Sequence, residues 1–263
     1  MEKNILEQLA EQAILRVKQE KEKKSTEELK EQVYSLPIGN FAFEKALQKP
    51  GISFICECKK ASPSKGLIAP HFPYLEIAKS YEAAGASAIS VLTEPKWFLG
   101  DDRYLSEIAS AVSLPCLRKD FTVDEYMIYQ AKLLGASAVL LICSLSDYSS
   151  IRHYLAICDE LGLSALVEAH TQSEIQMAVA AGARIIGVNN RNLKTFSVDT
   201  ENSKRLRELV PNNILFVSES GVQTAKDVSE LKKIGVDAVL IGEALMRAPD
   251  KKAKLAELSG NDL

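Results

Sequence analysis

With 263 residues, 46% hydrophobic and 25% charged, the chain has the make-up of an ordinary globular protein with enough apolar side chains for a large core. Lys and Arg total 32 against 35 Asp and Glu, a near balance that excludes a broad positive field for nucleic acid or anionic lipid, so any anionic ligand has to be held locally. No segment approaches about 18 uninterrupted apolar residues, and MEKNILEQLAEQ is charged from its second residue. The five cysteines are odd in number, four of them in or beside Val/Ile/Leu-rich runs, which points to reduced thiols in a cytoplasmic protein with no membrane partner.

The first stretch, to about Val33, has a helical pattern: Ile5, Leu9, Ala13 and Val17 recur every four residues, with Leu6, Ala10 and Ile14 beside them. Its mixed-sign piece KQEKEKK (18–24) reads as a solvated helix face. After Pro50-Gly51 short Val/Ile/Leu-rich runs alternate with longer amphipathic segments, the mark of repeated βα units and a parallel sheet. Eight runs can be counted: SFICECK (53–59), AISVLT (88–93), CLRKD (116–120), AVLLIC (138–143), SALVEA (164–169), RIIGVN (184–189), LFVSES (215–220) and AVLIGE (238–243). Eight parallel strands close into a barrel, and α/β barrels use about 250 residues as one unit. The expectation is an α/β fold, a (β/α)8 TIM barrel forming one domain over 1–263, with 1–50 a helical extension packed on the barrel mouth.

The phrases AAGASAISV, LLGASAVLL, AAGARIIGV and KIGVDAVLI form an internal repeat in which Gly85, Gly135, Gly182 and Gly235 each stand where a helix stop needs positive φ. They precede strands, at the end of the barrel opposite the usual active site, and read as structural.

Strands covered on both faces should be continuously apolar, so ionisable residues inside them require a reason. In the first run, side-chain alternation puts Glu57 and Lys59 on one face and Cys56 and Cys58 on the other. Further polar strand ends are Arg118-Lys119-Asp120, Glu168, Asn189-Asn190-Arg191 and Ser218-Glu219-Ser220-Gly221, all expected to converge on one mouth. Buried ion pairs rarely stabilise a core relative to apolar residues, so the cluster points to chemistry. Gly221 follows the seventh run and Gly242 lies at the end of the eighth, where this barrel class builds a phosphate site.

CECKKASPSKG (56–66) resembles the first-strand signature of the indole-3-glycerol phosphate synthase family. SVLTEPKWFLG (90–100), LRKDF (117–121), LVEAH (166–170), GVNNRNL (187–193), SESG (218–221) and LIGEALMR (240–247) resemble that family's other strand-end motifs, in order. The resemblance implies a cofactor-free enzyme that turns 1-(2-carboxyphenylamino)-1-deoxyribulose 5-phosphate into indole-3-glycerol phosphate, carbon dioxide and water. It implies that Lys119 is the general acid at the ketone oxygen, helped by a pKa lowered by burial and crowding charges, and that Glu168 is the acid or base for loss of the hydroxyl. Glu57, Asn189 and Glu219 orient charged groups and sugar hydroxyls, and Lys59 reaches the phosphate early in the cycle. Arg191 and Ser62 hold the site and substrate; Ser220, Gly221, Gly242 and Glu243 match the phosphate turns, Glu243 through its backbone N–H with the side chain turned away. Phe98, Phe121, Leu140 and Phe196 match the apolar wall around the anthranilate ring.

The loop carrying Ser62-Pro63-Ser64-Lys65-Gly66 is expected to close over the substrate. Rival readings are a Schiff-base sugar-phosphate aldolase acting through Lys119, an isomerase needing a Cys/Asp pair that is missing from the strand ends, and a non-catalytic phosphate-ligand-binding barrel. His71, His153 and His170 lack metal-ligand spacing, so no metal is expected. Trp97 reads as packing or as a stacking partner for the substrate, and the partner is a phosphorylated small molecule bound by what is expected to be a monomer.

Overall fold

The computed structural model describes residues 4–192 and 195–260; Leu193, which closes the GVNNRNL motif, lies outside them. Three helices, α1 (Ile5–Lys23), α2 (Thr26–Tyr34) and α3 (Ala42–Leu47), precede eight barrel strands. These are β1 (Ser53–Cys58), β2 (Ala88–Leu92), β3 (Cys116–Lys119), β4 (Ala138–Ile142), β5 (Ser164–Ala169), β6 (Ile185–Asn189), β7 (Leu215–Glu219) and β8 (Ala238–Ile241). Between and after them run α4 (Tyr74–Ala83), α5 (Asp102–Ala111), α6 (Glu125–Leu133), α7 (Tyr148–Leu161), α8 (Gln172–Ala181), α9 (Glu201–Arg207), α10 (Ala225–Lys233), α11 (Glu243–Arg247) and α12 (Lys251–Ser259). Every strand pairs in parallel with its chain neighbours, and β1 pairs with both β2 and β8, closing the barrel. The runs read from sequence mostly end a residue or two later than the strands, because their last residues already turn into the loops of the mouth.

Strand alternation sorts the core into two clusters. Ile55, Ala88, Leu117, Leu140, Leu166, Ile185, Val217 and Leu240 fill the barrel interior, while Cys56, Cys58, Ile89, Val139, Val167, Ile186 and Val239 pack outward under the helices. All five cysteines are buried free thiols.

The repeated glycine phrase has a common geometry. Gly85, Gly135, Gly182 and Gly235 have φ of 90°, 82°, 94° and 77°. The N–H of the following residue donates back to the last helical turn, as in Ala86 to Tyr81 O and Ala136 to Ala131 O, at 3.0 and 2.9 Å. This hydrogen-bond closure needs a left-handed residue, which glycine supplies without a Cβ clash.

The single helical stretch expected up to Val33 is two helices. Ser25 forms a capping box with Glu28 and starts α2, while Lys24 is extended and ends α1. Of the 1–50 segment expected on the mouth, α1 lies there, with Leu9 and Ala13 against the inner core. By contrast α3 sits at the opposite end, where Glu44 N donates to Ser164 Oγ at the start of β5 and Phe43 and Leu47 join the barrel interior. The loop after β1 folds into a small antiparallel hairpin, Ala61–Ser62 with Gly66–Leu67, a feature the sequence did not signal.

Candidate active site

The side chains facing inward at the C-terminal ends of the strands meet in a cavity of about 810 Å³. Glu57, Lys59, Lys119, Glu168, Asn189 and Glu219 line it, together with Ser62, Phe98, Phe121, Leu140, Arg191, Phe196, Ser220, Gly221, Gly242 and Glu243. Strand register sets their levels: Glu57 lies beside Ser90, Leu92 beside Lys119, Ile142 beside Glu168 and Asn189 beside Glu219.

Lys119 is the hub. Its Nζ donates to Glu168 Oε2 at 3.0 Å and to Glu219 Oε2 at 2.9 Å, and the three carboxylates Glu57, Glu168 and Glu219 are each 3% exposed or less. Glu57 holds Lys59 at 2.5 Å. Room for Glu219 comes from Gly187 on the adjacent strand, where a Cβ would collide with its carboxylate. Asn189 is fixed by two donors to its Oδ1, Arg191 N and Ser220 Oγ, both at 3.0 Å.

The electrostatics differ from one group to the next. Burial would lower the Lys119 pKa, but Glu168, Glu219 and Glu57 raise it further than burial lowers it, so it stands above its ordinary value. The lowering expected from crowding fails because the crowd consists of carboxylates, not cations. Burial pushes Glu219 up to about 7 against the pull of Lys119, reinforced by repulsion from Glu168 and Glu57. Glu168 is buried equally but stays below its ordinary value, because Lys119 and His170 outweigh the burial.

The cavity has an apolar wall and a polar end. Phe98 and Phe121 stand 6.0 Å apart, ring centre to ring centre. The Phe98 loop is held by Glu94, whose buried carboxylate accepts the N–H groups of Lys96, Trp97 and Phe98 at 2.8 to 2.9 Å. At the polar end Ser220 and Gly221 have φ of 66° and 90°, and a Cβ on Gly242 would strike Glu57 and Lys59. The Glu243 carboxylate is engaged by Arg247 at 3.1 Å and by Lys65 of the hairpin at 3.5 Å.

Some of the strand-end polar residues expected at the mouth point elsewhere. Arg118 faces the helix layer, donating to Met127 O and Asp102. Asn190 bonds Ser218, Ser203 and Ser220 O outside the barrel, which follows from the one-residue alternation with Lys119 and Asn189. Sequence reasoning missed Ile5 and Leu9 of α1, and Arg247 and Lys254, all of which line the cavity, as does Lys65 of the loop expected to cover it. The four-residue spacing of Ile5 and Leu9 revealed a helix stripe but not which surface it covers.

The family model of indole-3-glycerol phosphate synthase matches residues 6–258. The chain belongs to the indole-3-glycerol phosphate synthase family. It is 57% identical to the indole-3-glycerol phosphate synthase of Ruminiclostridium cellulolyticum, over 98% of this chain and 99% of that protein. Against the synthase of Lachnoclostridium phytofermentans the identity is 50%, over 97% and 98%. Among solved structures, 3-hexulose-6-phosphate synthase from Salmonella typhimurium superposes with a TM-score of 0.66 at 14% identity, covering 80% of this chain and 97% of that one, a likeness of fold alone. The activity is that of the family, a carboxy-lyase of tryptophan biosynthesis that closes the indole ring of a phosphorylated anilino sugar with loss of carbon dioxide and water. The aldolase and ligand-binding readings give way to it. Among the described residues no helix is long and apolar enough to cross a membrane.

Proposed function

We propose that the cavity at the barrel mouth is where this synthase reaction takes place, and that Lys119 is its general acid. The observation that carries this is the single ammonium held between two buried carboxylates at 3.0 and 2.9 Å, beside an aromatic wall. An ammonium so placed carries a proton at neutral pH and can deliver it to the ketone oxygen as the ring carbon attacks. Carbon dioxide then leaves and the ring regains aromaticity. Glu168, a carboxylate at rest, takes up the one proton per turnover that comes from solvent and gives it to the hydroxyl, which departs as water, and the proton shed by the neighbouring CH2 returns to the Lys119 amine.

Glu57, Asn189 and Glu219 orient the charged groups and sugar hydroxyls, with Arg191 and Ser62 holding the substrate. Phe98, Phe121, Leu140 and Phe196 enclose the anthranilate ring, while Ser220, Gly221, Gly242, the Glu243 backbone and Lys59 receive the phosphate. The hairpin after β1 closes over the bound sugar. The cavity is built within a single barrel, in keeping with one domain over 1–263 that works as a monomer, and the buried free thiols fit a reducing cytoplasm.

Lys119→Met, assayed by indole absorbance with this substrate, is expected to lose activity by a factor on the order of 10² to 10⁴. Turnover at the wild-type rate would remove Lys119 from the chemistry.

A further inference from the structure

His170 ends the LVEAH motif and has no part in the chemistry assigned above. It follows β5 two residues after Glu168, so strand alternation turns both side chains to the same side. The imidazole Nε2 stands 3.7 Å from Glu168 Oε1. Both atoms are buried and neither has a hydrogen-bond partner. Native interiors seldom leave two such atoms facing each other. The gap is several tenths of an ångström beyond a hydrogen bond, too short for an intervening water and short enough to close with a small side-chain movement. On its other side the ring meets the outside of the barrel. Its Nδ1 is 3.8 Å from Glu174 Oε2 on α8, and the side chain keeps 19% of its surface in solvent. Glu174 also accepts the His170 N–H at 2.6 Å, while Asn202 of α9 donates to the His170 carbonyl, so the ring is held between Glu168 inside and Glu174 outside. Beyond Glu168 the next charged group is Lys119.

The reaction gives this geometry a use. The ketone oxygen takes up two protons before leaving as water, the CH2 gives up one, and the carboxylate leaves as neutral carbon dioxide. Each turnover therefore consumes one proton from solvent, and Glu168, which passes that proton to the hydroxyl, is 1% exposed.

We propose that His170 relays that proton, taking it from solvent at Nδ1 and handing a proton from Nε2 to Glu168 Oε1, from which it reaches the departing hydroxyl. His170 thus acts through Glu168 and not on the substrate. The proposal rests on the role given to Glu168 above. An imidazole suits the task because it loses one proton and gains another at opposite ring nitrogens near neutral pH.

The test uses His170→Ala, His170→Gln and Glu168→Gln in the full chain, with kcat and KM measured across pH with and without added imidazole. Both His170 variants are expected to lose kcat about tenfold while KM stays within about twofold. Added imidazole should restore kcat in His170→Ala, and Glu168→Gln should be inactive with or without it. If either His170 variant that folds, judged by thermal unfolding, keeps wild-type kcat, the relay is wrong. It is equally wrong if kcat falls without imidazole rescue in His170→Ala and without a changed pH profile in His170→Gln, since that marks a structural role. Full activity in Glu168→Gln would instead overturn the assignment of Glu168 itself.

Discussion

Arg118, Lys119 and Asp120 are consecutive, yet they belong to two ionic clusters built on opposite principles. At the rim, on the side towards α1 and the helix layer, Asp120 takes two 2.8 Å hydrogen bonds from Arg16 of α1 and one of 2.6 Å from Thr93, while Arg118 binds Thr93, Met127 O and Asp102. Cations and carboxylates balance there and every group is satisfied. Inside, Lys59 and Lys119 face Glu57, Glu168 and Glu219, and one oxygen each of Glu168 and Glu219 has no partner. The outer cluster resembles a bolt that fixes the strand end and ties α1 to it. The inner one is short of positive charge and of donors, which marks it for chemistry and not for stability.

The contrast can be broken most severely at the bolt. Arg16→Met leaves Asp120 buried without the Nη2 group that spans both its oxygens, and urea unfolding is expected to show a loss of about 3 to 5 kcal/mol; a loss below about 1 kcal/mol would mean that the outer cluster does not hold α1 in place.

A smaller effect is expected at Glu219, whose pKa is raised from 4.5 to about 7 by burial and by Glu168 and Glu57. A carboxyl raised on folding favours the folded state most at low pH, and that contribution is lost as pH climbs through about 7. Glu219→Gln should therefore flatten the stability profile between pH 4.5 and 7, as followed by thermal unfolding. An unchanged slope would show that Glu219 titrates normally.

The smallest change is at the polar end. Glu243→Ser frees Lys65 and Arg247 from the carboxylate that engages both, leaving two cations for the proposed phosphate. KM should fall about threefold, with stability altered by less than about 0.5 kcal/mol. A rise in KM would mean that Glu243 positions those cations productively.

Much of this is legible in the amino-acid sequence. Alternation alone puts Glu57 and Lys59 on one face and Cys56 and Cys58 on the other, and the structure has them so. Gly187 carried a readable signal too: a glycine inside an apolar run marks a close approach, here of the Glu219 carboxylate. The seam between α1 and α2 was also readable, since Ser25 and Glu28 have capping-box spacing. Arg118 and Asn190 look like site residues in the sequence because they are polar and adjacent to residues that belong there. Composition at a strand end does not tell inner from outer charges unless the alternation is followed residue by residue.

The sequence by itself determined the barrel, the helix stops before its strands and the inward set Glu57, Lys119, Glu168, Asn189 and Glu219, because a period of two and a left-handed glycine are properties of a few neighbouring residues. Only the tertiary structure decided that Arg16 would meet Asp120 across 104 residues, that α3 would seal the far end, and that Lys119 would be outnumbered by carboxylates. It also brought His170 and Glu168 face to face with neither satisfied. Those outcomes depend on how separate strands and helices are brought together, and the energy of a charge depends on the neighbours that closure of the barrel provides.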